Sequence, residues 1–162
     1  MEKKWKTNGN KSIDLLVQGR PRATLNLSSD TITLPDGTVY RLKRKGIFRS
    51  RLIVTDAANK ELTRIKPVRW YGTSYNFSWK GQGYVLSVGN NPLAEWRISS
   101  GKKLILSYGL DASAGKIQLK TGGTIDGDPF FDCLLYYLIR PAYHEQSGTD
   151  ETTLLLLLTA AG

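Results

Sequence analysis

From Ser12 to Thr121 the chain repeats one pattern: a short run in which apolar and polar residues alternate, then a turn, then another run. In "SYNFSWKG", Tyr75, Phe77 and Trp79 fall on one face and Ser74, Asn76, Ser78 and Lys80 on the other. A period of two marks a strand with one face buried. Comparable runs stand at "IDLLV", "ATLNLS", "TITL", "TVYRLK", "IFRSRLIV", "ELTRIK", "YVLSV", "LAEWRI", "KLILSY" and "KIQLK". Between them lie Gly-Arg-Pro, Pro-Asp-Gly, Asp-Ala-Ala-Asn, Gly-Gln-Gly and Gly-Asn-Asn-Pro, all turn chemistry. The pattern predicts about eleven or twelve strands between about 12 and 121. Connections this short join antiparallel neighbours, because a parallel crossover needs a dozen or more residues. "LIVTDAANKELTRI" (52–65) also aligns without gaps on "VLSVGNNPLAEWRI" (85–98), which predicts one hairpin form used twice.

After "TGGTIDGDPF" the pattern changes. Asp128 ahead of Pro129 is a helix-start signature, and "FFDCLLYYLI" is apolar nearly all round until Arg140-Pro141, so a helix is predicted over about 129–140. Thr149, with Asp150 and Glu151 behind it, predicts a second helix over about 150–161 that carries Leu154 to Leu158. Neither segment has the ~20 apolar residues that a membrane-crossing helix needs. A helix apolar on every side must lie inside protein. About twelve antiparallel strands that close on themselves lose their sticky edges, yet enclose more space than their own side chains fill, since about eight strands reach that limit. The predicted fold is therefore mainly β: one domain over 1–162, a closed antiparallel barrel of about twelve strands with a C-terminal apolar helix in its lumen. Either helical segment could be the one that threads it.

This layout resembles the tubby C-terminal-like superfamily, which includes the tubby domain, the LURP-one-related proteins and the phospholipid scramblases. The similar features are "RLIVTDAANKELTRI", its cadence repeated at "YVLSVGNNPLAEWRI", and the apolar endings "DPFFDCLLYYLI" and "DETTLLLLLTAAG". Nearly the whole chain is covered, by layout rather than by an invariant motif. That family ends on one buried helix, whereas this chain offers two candidates. The resemblance implies a β-barrel around a central hydrophobic helix and, by likeness to the tubby domain, binding of phosphoinositide headgroups through basic side chains. It assigns no individual ligand residue.

Charge points the same way. Lys and Arg number 23 against 14 Asp and Glu, a net charge of +9, which favours an anionic partner. "RLKRKGIFRSRL" and "TRIKPVRWYG" concentrate the excess, and Lys43, Arg44, Lys45, Arg49, Arg51, Arg64, Lys66 and Arg69 form the candidate anion site. If the hairpin turns at Asp56–Asn59 with Thr55 opposite Lys60, Arg51 faces Arg64 and Arg49 faces Lys66. Like charges directly opposed destabilise a sheet. Such pairs are easier to tolerate under a bound anion, although a solvated face, where long cationic side chains splay into water, would also hold them. The expected function is a non-enzymatic binding module for anionic phospholipid or a membrane surface, cytoplasmic and peripheral. A nucleic-acid-binding protein that stacks bases on Trp70 and Tyr71 is the alternative.

Other chemistry finds little footing. His144 follows Tyr143 in a polar connector, with only Glu145 beside it as a possible catalytic companion. Cys133 lies in the apolar run, and one His with one Cys cannot make a zinc site of the usual type. "TGGTIDGDP" lacks the Lys-Ser/Thr ending that a phosphate-binding loop requires. No cofactor is expected. The basic opening "MEKKWKTNGNKS" is followed by no apolar run of signal-peptide length, so export by that route is not expected.

Overall fold

Within the described residues, each alternating run that the sequence predicts contributes a strand. The computed structural model of the chain describes residues 2–9, 11–45, 51–68, 73–90, 93–113, 115–123, 127–147 and 153–158. After β1 (Lys3–Thr7) come β2 (Ser12–Val17), β3 (Arg20–Asn26), β4 (Thr31–Thr33), β5 (Val39–Lys45) and β6 (Arg51–Thr55). They are followed by β7 (Glu61–Pro67), β8 (Ser74–Trp79), β9 (Gln82–Asn90), β10 (Ala94–Ser100), β11 (Lys103–Ser113) and β12 (Lys116–Gly123). Each pairs antiparallel with the next, giving twelve antiparallel strands in one sheet. A helix, α1 (Pro129–Ser147), and a last strand, β13 (Thr153–Leu158), complete the described chain. The two aligned segments are both hairpins, β6–β7 and β9–β10, and each places its closing isoleucine, Ile65 or Ile98, in the core.

Turn chemistry fixes the hairpins. At the β6–β7 turn, Asp56 Oδ1 accepts hydrogen bonds from the backbone N–H of Ala58 and of Lys60, both at 2.9 Å, and Asn59 takes the left-handed conformation at φ 65°. At the end of β12, Gly123 has φ 98°, and a Cβ there would stand 2.4 Å from the Ile105 carbonyl oxygen, so only glycine fits this approach to β11.

The sheet buries one face against α1. Phe130, Cys133, Leu134, Leu135, Tyr136 and Ile139 are fully buried, as a helix apolar all round requires. Aromatic rings reach it from several strands: Trp5 of β1 stacks on Tyr136 at 4.3 Å, Trp79 of β8 stacks on Phe130 at 3.9 Å, and Tyr84 of β9 meets Phe131 edge-on at 5.0 Å. Such pairs contribute about 0.5–1.5 kcal/mol beyond the area they bury. Cys133 behaves as a small hydrophobe, its thiol pushed well above the usual range by burial.

One polar chain crosses this apolar interior. The Lys3 ammonium lies 2.9 Å from Asp132 Oδ1, which also accepts the Tyr108 hydroxyl at 2.7 Å, and Trp5 Nε1 donates to that hydroxyl at 3.2 Å. The network ties β1, β11 and α1 together. Burial first, and then the Asp132 charge, push the Tyr108 phenol well above its ordinary pKa, so it stays a neutral donor.

The start of α1 follows its signature. Asp128 Oδ1 accepts the Phe130 N–H at 3.0 Å, while Oδ2 accepts Trp79 Nε1 at 2.9 Å and sits 3.0 Å from the Lys80 ammonium. Burial works to raise the Asp128 pKa, but these hydrogen bonds outweigh it and hold the carboxyl below its ordinary value of 3.8. A depressed carboxyl contributes stability that is complete above the unfolded-state pKa and is lost as pH falls through the folded one. Asp128→Asn is therefore expected to be less stable than the parent at pH 7, with the gap narrowing below about pH 4. Urea unfolding of both proteins at pH 7 and pH 3 checks this, and a gap that stays constant with pH would refute it.

Three expectations are corrected. First, the helix does not stop at Arg140 but runs through Pro141 to Ser147. Proline removes the hydrogen bond to the carbonyl four residues back, that of Tyr137, and Tyr137 and Pro141 are not buried, so water can take that bond. His144 therefore lies in the last helical turn, against Tyr143, and not in a connector. Second, the segment expected as a helix over 150–161 forms β13 over Thr153–Leu158. A continuous apolar run carries no period with which to separate strand from helix, and here two sheet edges supply backbone partners. β13 lies antiparallel to β1 over Lys3–Lys6 and parallel to β12 at Lys120 and Thr121. That parallel step is reached through α1, a crossover of the length such pairing demands. Third, strand structure begins at Lys3 rather than near residue 12.

Candidate functional site

Alternation, which buries the core, also divides the predicted basic cluster. On β5, Tyr40 and Leu42 are buried, so Arg44 shares their face while Arg41, Lys43 and Lys45 point outward. Arg44 has reached the end of the strand, where α1 emerges, and its guanidinium carbon lies 5.2 Å from the centre of the Tyr137 ring. A cation over an aromatic face is attracted by the ring quadrupole, by about 0.5–1 kcal/mol at an exposed site.

Around this contact a cavity of about 750 Å³ opens between the end of β5, the β3–β4 turn and the second half of α1. Among the described residues, Lys43, Arg44, Lys45 and Arg140 line it against one carboxylate, Asp30. The turn is held by its own residues and by β5. Asn26 Oδ1 accepts the backbone N–H groups of Ser28 and Ser29, both at 3.0 Å, and the Asp30 carbonyl accepts the Leu42 N–H at 2.8 Å. Two segments, β5 and α1, thus bring four cationic residues to one rim opposite the β3–β4 turn, where a compact anion would meet charge from both.

Arg64 and Lys66 lie elsewhere. They line a second cavity, of about 800 Å³, beside β7, β8 and β9. Arg64 is engaged by Glu61 at 2.6 Å, and the Glu61 carboxyl is held below its ordinary range first by that hydrogen bond and then by the charges of Arg64, Lys66 and Lys45. Arg51 is exposed at the start of β6. Arg49 and Arg69 fall outside the described residues, as do Trp70 and Tyr71.

The cross-strand pairing inferred from the turn is also corrected. Thr55 pairs with Glu61, not Lys60, and a bulge between Val54 and Thr55 shifts the register again, so that Arg64 stands opposite Ile53. Arg51 does not face Arg64. Among the described residues, a like-charge pair stands at Lys45 opposite Arg51, on β5 and β6. Of the described tryptophans, Trp5 and Trp79 are buried in the core and Trp96 packs 6.2 Å from Tyr75.

Sequence reasoning missed Arg140, Tyr137 and Asp30. Arg140 was legible only as part of a helix stop, and its place at the rim depends on the helix continuing through Pro141. Among the described residues no group of three or more His, Cys, Asp or Glu could hold a metal, and no helix is long and apolar enough to cross a membrane. Comparison of the chain with protein-family models, with curated proteins and with solved structures finds no match.

Proposed function

We propose that the protein is a non-enzymatic binding module that takes the multiply charged headgroup of an anionic phospholipid at the rim between β5 and α1, acting peripherally at the cytoplasmic face of a membrane. We read its wall as a closed barrel, with β13 bridging β1 and β12 and α1 as the central plug. The observation that carries the functional reading is the convergence of Lys43, Arg44, Lys45 and Arg140 on one cavity whose one acid among the described residues is Asp30. A phosphate offers several acceptor oxygens, and each charge-assisted hydrogen bond to it contributes about 1.5–3 kcal/mol. Arg44, preset over Tyr137, brings a planar fork of donors that loses little freedom on binding.

The pair Lys45 and Arg51 supports the same reading. Like charges directly opposite in a sheet are destabilising, by a few tenths to about 1 kcal/mol, and Lys45 also lines the cavity. Lys45→Thr is expected to raise stability by about that amount and to weaken headgroup binding by about 1.5–3 kcal/mol, so the two properties move in opposite directions. Thermal unfolding, together with flotation on vesicles of neutral lipid, of phosphatidylserine and of multiply phosphorylated phosphoinositide, measures both. Binding that follows surface charge alone would leave a solvating face. A preference for single-stranded nucleic acid with a steep salt dependence would replace the lipid by that partner.

A further inference from the structure

β7 carries an outer row of side chains that neither the core nor the rim explains. Thr63 and Ile65 are buried, so Leu62, Arg64 and Lys66 share the opposite face. Val68 falls on the same side, since its N–H continues the pairing with β8 by donating to the Ser74 carbonyl at 2.8 Å. The row therefore reads apolar, cation, cation, apolar. Lys66 stands opposite Asn76 on β8, and Asn76 opposite Val85 on β9, so Val85 lies in one line with Lys66 across the sheet. Leu62, Val68 and Val85 are 39%, 53% and 37% exposed, and they are the exposed large apolar residues among those described. All three belong to this one face, which runs about 20 Å along β7 from Leu62 to Val68 and about 10 Å across from Lys66 to Val85.

Charge continues over the neighbouring strands. Arg41, Lys43 and Lys45 point outward from β5, and Arg51 is exposed at the start of β6. Lys43 stands opposite Ile53, which stands in turn opposite Arg64. With Arg64 and Lys66, the cations of β5, β6 and β7 share the face with one acid of those strands, Glu61. The charges of Lys45 and Lys66 both reach the Glu61 carboxyl, so β5 and β7 contribute to one field.

The order of these side chains decides the kind of partner. A protein interface gathers apolar side chains at its centre and leaves charge to its rim. Here Arg64 and Lys66 occupy the middle of the row, between Leu62 and Val68. A bilayer surface accepts that order, because short aliphatic side chains enter the headgroup boundary while long cationic ones lie along apolar surface and reach anionic headgroups.

We propose that the outer face of β7–β9 lies against an anionic bilayer, with Leu62, Val68 and Val85 entering the headgroup boundary and Arg64 and Lys66 meeting the negative charge of the lipids. This rests on the membrane reading above but not on the headgroup site, because it needs only surface charge. Lys43 and Lys45 border both, so a bilayer on this face meets the rim at its edge.

The test uses the full chain on vesicles of phosphatidylcholine, with and without phosphatidylserine and free of phosphoinositide. Cys133 is buried, so an environment-sensitive fluorophore can be attached in three variants: Leu62→Cys, Val85→Cys and, on β1, the exposed Lys6→Cys. With phosphatidylserine present, the probes at 62 and 85 are expected to shift to shorter wavelength and to be quenched by a quencher carried on the lipid chains, while the probe at 6 reports water. Arg64→Gln with Lys66→Gln is expected to weaken binding about thirtyfold. Leu62→Ser with Val85→Ser is expected to weaken it about tenfold. Thermal unfolding checks that each variant keeps the fold, and the probe pattern decides even where one does not. Probes at 62 and 85 that stay in water on bound protein, an equal shift at 6, or no binding to phosphatidylserine would overturn the proposal. The rim is judged separately. Arg44→Gln should remove a preference for multiply phosphorylated phosphoinositide and leave the probe pattern on phosphatidylserine unchanged. A phosphoinositide preference with the 62 and 85 probes in water would keep the rim and discard this face, and shifted probes without that preference would do the reverse.

Discussion

Asp132→Ala is expected to destabilise the protein by about 3–5 kcal/mol, the cost of breaking a buried ion pair from one side. Lys3 is 1% exposed and its ammonium has the Asp132 carboxylate at 2.9 Å, so losing that carboxylate leaves a positive charge inside the core. The Tyr108 hydroxyl loses its acceptor in the same step, and the Trp5 indole hangs on that hydroxyl. Whole-domain stability runs to about 5–15 kcal/mol, so this single change removes a large part of it. Asp132→Asn should recover only the Tyr108 hydrogen bond, because an amide oxygen accepts but carries no charge for Lys3. The double change Lys3→Met with Asp132→Leu should cost less than Asp132→Ala alone, since no buried charge remains and well-packed apolar residues can stand in for an ion pair. Urea unfolding of the four proteins tests the ordering. If Asp132→Ala lies within about 1 kcal/mol of the parent, the pair contributes no more than an exposed one and the proposed coupling of β1 to α1 is lost.

The reach of the sequence follows the reach of local chemistry. Asp56 and Asn59 announced their turn because an aspartate oxygen can take the backbone N–H groups two and four residues on. Asp128 announced α1 for a similar reason, since its carboxylate caps the first turn. What the sequence hid is set by contacts far apart in the chain. Lys3 and Asp132 are separated by 129 residues, and nothing local to "KKWKT" distinguishes a lysine bound for the core from its exposed neighbour Lys4. The bulge at Val54/Thr55 turns on how two strands settle against each other, and it moved Arg64 opposite Ile53. The candidate site was half legible for the same reason. Lys43, Arg44 and Lys45 are adjacent in sequence, but period two sends Arg44 to the inner face, and its companions Tyr137 and Arg140 arrive from a helix almost a hundred residues later.

Removing residues 148–162 is expected to bare the edges of β1 and β12 and to yield a protein that associates through them. β13 makes four cross-strand pairs with β1 and two with β12. At about 1 kcal/mol net for a backbone hydrogen bond, the pairing alone contributes on the order of 5 kcal/mol. The bared β1 edge includes Lys3 and Trp5, the residues that tie this strand to Asp132, Tyr108 and Tyr136. Damage at β13 should therefore spread to α1, and the truncated chain should melt with reduced cooperativity and elute as oligomers. A peptide of residues 149–160 added in trans should restore the monomer and the sharp transition, whereas the same peptide with Leu155→Pro should not, because proline in mid-strand lacks the N–H that pairing needs and disrupts the ladder. Conformation is tested separately. Converting Leu154, Leu155, Leu156, Leu157 and Leu158 of the full chain to Ile keeps their volume while favouring strand over helix. The five-fold variant should fold with stability equal to the parent's or above it. A clear loss of stability, with a gain of helical signal in the parent's C-terminal peptide, would return the segment to the helix that its cap residues suggest and remove the bridge between β1 and β12.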